Sequence, residues 1–365
     1  MAQATGPLAG VKVLEFAGIG PGPFAGMMLS DLGADVLRIE RKGAADPKPE
    51  RFDARGRRAV ELDLKQPDAM ALCLRLAERA EVLFEGNRPG VMERLGLGPD
   101  VMLERNPRLV YGRMTGWGQH GPNAHIAGHD INYLSLTGAL HAIGTENEPV
   151  APLNLAADYG GGAMFLVTGI LAALLHARQT GEGQVVDAAM TDGASYLMSI
   201  FYGMLASGVW KDRRRSNLLD GGAHFYGAYR CADGEWISIG SIEPQFYALL
   251  VEKTGAGERL DRPQMDRDAW PQMKQVLVEI FATKSRDEWC AILGDTDVCF
   301  APVLSMTEAP AHPHNVARGT FVESAGVVQP APAPRFSATP TAIQWPPAPI
   351  NRDPLAVIED WEAPV

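Results

Sequence analysis

From residue 11 onward, short apolar runs alternate with amphipathic stretches. Val11 to Phe16 predicts a strand. A Gly/Pro turn then leads into a helix from about Pro23 to Leu32, with proline in its first turn. Val36 to Glu40 is a second strand. Over residues 67–80, Leu72 and Leu76 share one face while Arg75 and Arg79 lie off it, the pattern of an amphipathic helix. Val82 to Glu85 is a third strand, Pro99 to Arg105 a short helix stopped by Asn106-Pro107, and Leu109 to Arg113 a fourth strand. Strands alternating with helices imply an α/β fold, a parallel sheet with helices on its faces.

Gly160 to Gln179 reads as a long apolar helix closed by Gly181, lacking polar sides and so destined for a core or a subunit interface. Gln184 to Met190 is another strand and 192–210 a helix, ending near the charged run Lys211–Arg215. Tyr229-Arg230-Cys231 and Trp236–Ile239 flank an Asp233-Gly234 hairpin signal. Helical patterns follow at 244–254 and 271–282, then an apolar stretch from Val298 to Leu304. The expected organisation is a large α/β domain over 1–192, a helix and linker over 193–221, and a small α+β domain over 222–312. Residues 313–365 then form a linker and Pro-rich arm. With nine prolines in 330–365, that segment cannot be mostly helix, and Phe336, Ile343, Trp345 and Ile350 suit an arm laid across a domain.

A chain of 365 residues has room for one large domain and a smaller one. Its net charge of −11 argues against a nucleic-acid binder. Its basic residues still cluster, in Arg51, Arg55, Arg57, Arg58 and Lys65, then in Arg88, Arg94, Arg105, Arg108 and Arg113, which suits a small anionic ligand as well as a solvated face. Cys73, Cys231, Cys290 and Cys299 have apolar neighbours and no CxxC spacing, so they read as buried, reduced thiols without a zinc site. The apolar run Ala163 to Leu175 is too short to cross a bilayer, so no membrane insertion is expected. No signal-peptide pattern is visible at the N-terminus and Glu-Ala-Pro-Val at the other end is no peroxisomal address, so the expected compartment is the cytoplasm.

Gly20-Pro21-Gly22-Pro23-Phe24-Ala25 matches the dinucleotide fingerprint after a first strand, with Glu40 near the expected acidic position. That cradle works through backbone N–H groups, and Pro21 and Pro23 have none. An NAD-dependent oxidoreductase is therefore the weakest reading. The turn is expected to shape a pocket wall, with Ile19 as an apolar contact.

Two Gly-flanked segments about 30 residues apart carry the candidate chemistry: Gly128-His129-Asp130-Ile131-Asn132-Tyr133 and Asn154–Asp158. An imidazole and a carboxylate facing one cavity would make a two-base proton-transfer site. Asp130 is placed to cap a helix, whose open N–H groups could receive an oxyanion. As residues alone, His129 fits a capping or packing role equally well, and Asp158, before Tyr159-Gly160-Gly161-Gly162, fits a plain N-cap. Glu243 lies at a strand-to-helix turn and, alone, reads as a helix-start charge. No spacing suggests a metal.

At these residues the chain resembles the α-methylacyl-CoA racemases of the family III CoA-transferase (CaiB/BaiF-like) superfamily. Markers include Asp31–Val36, Asp63-Leu64-Lys65, Asn87–Gly90, Thr115–Gln119, Gly128–Tyr133, Gly183–Asp187 and Ala301-Pro302-Val303. The resemblance implies a Rossmann-like large domain, a smaller α+β domain, and an interlocked homodimer with shared active sites. In the superfamily's transferases the Asp at the Asp158 position is a nucleophile; in its racemases a His at the His129 position turns the site to proton transfer, and Glu243 stands where its partner is carried. The resemblance thus implies a racemase with His129, Asp158 and Glu243 as acid/base groups, the Asp130 backbone and Asn154 in support, and a CoA-transferase as the alternative. It implies no cofactor, CoA being part of the substrate. CoA contacts are implied at Arg41, Leu62, Leu64, Lys65, Glu85, Gly86, Asn87, Arg88 and Arg94. Around the thioester and acyl group it implies Ile19, Met114, Gly116, Gly128, Ile131, Asn132, Tyr133, Phe225 and Tyr226. Met190, Met198 and Met204 offer an adaptable surface for varied acyl chains.

Overall fold

The computed structural model describes residues 5–362, which form two compact units. The first takes in residues up to 137, 152–198 and from 318 onward; the second takes in 138–151 and 199–317. The charged run Lys211–Arg215 lies inside the second unit.

The first unit is built on six parallel strands: β1 (Lys12–Phe16), β2 (Asp35–Arg41), β3 (Arg58–Leu62), β4 (Val82–Glu85), β5 (Val110–Thr115) and β6 (Gln184–Ala189). Their order is β3-β2-β1-β4-β5-β6, so the sequence direction reverses between β1 and β4. On one face, Leu14, Leu37, Ile39, Leu83 and Tyr111 pack with Cys73 and Leu76 of the helix Pro67–Arg79. On the other, the helix Pro21–Asp31 lies over a buried ion pair, in which Arg57 donates to both carboxylate oxygens of Glu15 at 2.8 and 2.7 Å. Burial pushes the Glu15 carboxyl up, against the pull of Arg57 and Arg38.

The first helix starts at Pro21, two residues earlier than its apolar pattern suggests, because Gly20 supplies a turn at φ 66°. β3 escaped sequence reading: its run Arg-Ala-Val-Glu-Leu has too few apolar positions to stand out. The long apolar helix begins earlier than expected, as a π-helical segment Leu155–Ala163 that continues as an α-helix Met164–Thr180. These 26 residues exceed the run Ala163 to Leu175 and would suffice in length and composition to cross a membrane. In this unit the helix packs on the sheet instead: a Cβ on Gly112 of β5 would lie 2.9 Å from Leu166. The stretch 192–210 is two helices, Met190–Leu197 and Ser199–Ala206.

The Pro-rich segment is an arm on the first unit. Its Gln344 amide donates to the carbonyls of Ser30 (2.6 Å) and Ala34 (3.0 Å), and Asn351 exchanges backbone bonds with Ala59 and Glu61 along the outer edge of β3. Ile350 is buried as expected, whereas Phe336 is 38% exposed. The arm's strongest anchor is Trp361, fully buried in the helix Pro354–Glu362, which the proline content had hidden.

In the second unit, β7 (Tyr226–Arg230), β8 (Trp236–Gly240) and β9 (Phe300–Val303) form an antiparallel sheet, with the expected turn at Asp233-Gly234. Helices Pro244–Thr254, Trp270–Phe281 and Arg286–Leu293 cover it, their core centred on Phe225, Trp270, Phe281 and Trp289. The thiols are not uniformly buried: Cys73 and Cys231 are, Cys290 is partly covered, and Cys299, in a left-handed turn at φ 60° just before β9, is exposed.

Replacing Trp361 by Ala should cost about 3–5 kcal/mol of the first unit's stability, the usual range for emptying a core tryptophan site. Urea unfolding followed by circular dichroism checks this; an unchanged midpoint would show that the terminal helix does not hold the arm.

Candidate active site

In an open parallel sheet the crevice outside the carboxyl ends of the strands, at the point where strand order reverses, is the natural ligand site. Here a cavity of about 430 Å³ opens there, lined by residues of the first unit. The β1 exit supplies Gly18 to Gly22, the β4 exit Gly86 to Pro89, and the β5 exit Met114 to Trp117. Gly128, His129, Tyr133, Asp158 and Met190 also line it.

His129 and Asp158 are therefore brought to one space. His129 caps the short helix Asp130–Ser135, its backbone N–H donating to Asn132 Oδ1 at 3.0 Å. This corrects the expectation for Asp130, which is the first helical residue rather than the cap. Its carboxylate Oδ2 reaches across to accept from Ala157 N (2.9 Å) and Asp158 N (2.7 Å). Nor is Asp158 an N-cap: it sits inside the π-helical segment, whose flanking residue is Asn154. Wide turns of this kind recur at functional sites because they thrust one side chain out of helical register.

The Asp158 carboxyl is half-buried. Burial raises it above the ordinary carboxylate range; the Asn154 amide, 3.4 Å from Oδ2, opposes the rise, the Asp130 charge adds to it and His129 opposes it. Gly20 makes room for the group, since a Cβ there would stand 3.1 Å from Asp158 Oδ2. Tyr133 braces the wall, its hydroxyl donating to Gly128 O and its ring edge-on to Trp117 with centroids 4.8 Å apart. The ring fits only because residue 116 is glycine, where a Cβ would lie 2.0 Å from Tyr133 Cε1.

Ile19, Gly86, Asn87, Arg88, Met114 and Gly116 line the same cavity. Asp130, Ile131, Asn132 and Asn154 are not among the lining residues; Asp130 is buried, whereas Ile131 and Asn132 are exposed. Leu62 turns its side chain into the core, leaving only backbone for a ligand, and Leu64 packs against that core. Glu85 is buried and serves the loop: it accepts from Asn87 N at 2.6 Å and from Arg113. Met190 lines the cavity, whereas Met198 and Met204 do not. Tyr226 and Glu243 belong to the second unit. Phe225, expected on the acyl side, is fully buried there, stacked edge-on against Trp270.

Most of the clustered arginines are consumed internally. Arg55 pairs with Asp31, Arg57 with Glu15, Arg58 with Asp35, Arg51 with Asp53, Arg105 with Glu78, and Arg113 with Glu85 and Glu93. Arg41, Lys65, Arg88 and Arg94 are exposed and form no ion pair among the described residues. Arg41 ends β2, Lys65 follows β3 and Arg88 follows β4, so these three stand along the carboxyl edge of the sheet.

Residues 8–353 match the sequence profile of CoA-transferase family III. The chain belongs to this family. It is 46% identical over 335 residues to the alpha-methylacyl-CoA racemase of Mus musculus, covering 91% of this chain and 87% of that protein. It is also 46% identical over 339 residues to the racemase of that name from Homo sapiens, with the same coverage of both chains. A CaiB/BaiF family protein from Brucella suis superposes with a TM-score of 0.83 at 25% identity, over 98% of this chain and 100% of that one.

Around Glu243 the sequence missed the supports. Glu243 flanks the helix Pro244–Thr254, and the Gln264 amide clamps the turn before it, donating to the carbonyls of Ser241 and Ile242, each at 2.9 Å. Buried His224 meets the Tyr247 hydroxyl at 2.8 Å, tying the start of β7 to that helix. No local motif marks either contact, since each joins residues about 20 apart. Among the described residues no group of three or more His, Cys, Asp or Glu could hold a metal ion.

Gly116→Ala should displace the Tyr133 ring and destabilise the first unit by about 1–3 kcal/mol, the cost of overpacking. Near-UV circular dichroism, sensitive to the Trp117–Tyr133 contact, reads the displacement; an unaltered spectrum and full stability would refute the seating.

Proposed function

We propose that this protein interconverts (2R)- and (2S)-2-methylacyl-CoA thioesters by moving the α-proton through an enolate. The observation that carries the reading is that His129 and Asp158 line one cavity, in a chain 46% identical to racemases of that name. A thioester carbonyl acidifies the adjacent C–H. From a 2S substrate the His129 imidazole removes that proton, and the electron pair moves onto the thioester oxygen. The Asp130 backbone N–H, which has no acceptor within its own helix, is the donor for that oxygen. Protonated Asp158 then returns a proton to the opposite face of the carbon, leaving His129 protonated and Asp158 ionised. The 2R substrate runs the same steps in reverse.

This scheme needs a carboxyl that still holds a proton while the imidazole is free, and burial of Asp158 works in that direction. The nucleotide end of CoA would lie along the carboxyl edge of the sheet, met by Arg41, Lys65, Arg88 and Arg94 and by backbone at Leu62, Gly86 and Asn87. Apolar Ile19, Met114 and Met190 would face the acyl end. No cofactor enters the scheme, since CoA belongs to the substrate.

We further infer a homodimer in which Glu243 and Tyr226 serve the site of the opposite copy, Glu243 orienting His129. The helix Ser199–Ala206 supports this: it is strongly apolar, has no buried residue, and exposes Ile200 and Leu205 by 63% and 42%. Such surface calls for a partner. The reading has no use for a nucleic acid or a bilayer, and its setting would be the cytoplasm.

One epimer of a 2-methylacyl-CoA, incubated in D2O without any carboxylate acceptor, should gain deuterium at C2 and lose optical purity. Turnover that requires an acceptor acid would point instead to CoA transfer through Asp158. His129→Ala should slow removal of the 2S proton by about 10²–10⁴-fold, the usual worth of a positioned general base. Unchanged exchange in that variant would overturn the assignment.

A further inference from the structure

The Asp130 side chain has no part in the scheme above, yet it is built into the site. Its Oδ2 accepts from two backbone amides of the other segment, at 2.9 Å from Ala157 and 2.7 Å from Asp158. These bonds join the helix that starts beside His129 to the π-helical turn that carries Asp158. The residue is only 7% exposed, and its Oδ1 has no hydrogen-bond partner among the described residues. A buried carboxylate oxygen left bare costs folding energy. An amide in this place could accept the same two bonds without a charge, so the charge itself calls for a reason.

The ionisable groups acting on Asp158 are Asp130 and His129, from this one helix and its cap; Asp158 in turn acts on Tyr133 of the same helix, as does Arg88 from the β4 exit. The other elements packed on the turn meet it with Gly20, Pro21, Met190, Gly193 and Ala194, none of which carries charge. Arg88 is the cationic side chain that shares the cavity lining; it acts on Tyr133 and is not among the charges that act on Asp158.

We propose that the Asp130 carboxylate is a positioning residue for the proton transfer: it fastens the Asp158 turn to the His129 helix and keeps a fixed negative charge beside the Asp158 carboxyl. The proposal rests on the racemase reading for its catalytic meaning, not for its geometry. Held by two amides, Asp158 cannot drift from His129 while the substrate's α-carbon sits between them. The neighbouring charge opposes ionisation of Asp158, so the acid keeps its proton to higher pH.

Asp130→Asn keeps an acceptor for both amides and removes the charge; Asp130→Ala removes both. The first readout needs no substrate: an NMR titration of ¹³C-carboxyl-labelled aspartates in the full-length protein, with the Asp158 signal assigned by its loss in Asp158→Asn. In Asp130→Asn the Asp158 midpoint should fall by about one pH unit, a tenfold change in proton affinity. The second readout is the pH profile of kcat/KM. Because a lowered midpoint means ionisation at lower pH, the acid limb should move to lower pH in Asp130→Asn, whose activity should stay well above that of Asp130→Ala. Asp130→Ala should lose about 10²-fold in kcat with a smaller change in KM, the scale of a misplaced reacting group. Should the Ala variant not fold, Asp130→Asn carries both readouts. An unmoved Asp158 midpoint, or equal losses in the two variants with an unmoved acid limb, overturns the proposal. Wild-type protein that exchanges no C2 proton would defeat the racemase reading while leaving the titration to decide this one.

Discussion

Everything about the first unit's chemistry depends on the reversal of strand order between β1 and β4. Two neighbouring parallel strands whose connections leave in opposite directions cannot close the space above their carboxyl ends. The loops after them must diverge, and the gap becomes the cavity. The β1 exit is shaped by Gly20 and Pro21, the β4 exit by the Glu85 carboxylate holding Asn87 N. The same sheet order serves dinucleotide enzymes, but here the helix after β1 opens with prolines at its first and third positions, so the amides that would cradle a pyrophosphate are missing. The fold offers a generic crevice, and local backbone chemistry decides what can enter it.

Within that crevice, acidity is governed by what surrounds each carboxyl rather than by residue type. Glu85 and Glu15 are buried beside arginines and serve structure. Asp158 is half-buried, has no ion pair with Arg or Lys among the described residues, and lines the cavity. Only a carboxyl of the last kind can change protonation state without unfolding the surroundings.

The parallel sheet was largely legible because its strands are continuous apolar runs between helix signals; Val82 to Glu85 and Pro99 to Arg105 match residue for residue. β3 was not, because its outward residues are charged and its outer edge is covered by a chain segment nearly 300 positions away. The helix at the end of the arm was hidden by the proline count, although it holds only Pro354, at its first position. In the site, local sequence identified His129 and Asp158 but could not choose between capping and chemistry. That the two share a cavity was not legible either, because the contact that joins their segments, Asp158 N with the Asp130 carboxylate, spans 28 positions. Likewise the arginine count overstated the cationic surface, since pairs such as Arg57 with Glu15 join residues 42 apart.

The arm that seals β3 also bears on how the protein is made. Asn351 completes an edge, and Val357, Ile358 and Trp361 complete a core whose other members lie within the first 111 residues. A ribosome must therefore have passed residue 351 before that edge can be covered. Until then β3 presents open backbone groups, the state most prone to pairing with another nascent chain. The stretch 199–317, synthesised in between, carries its own core and has no such wait.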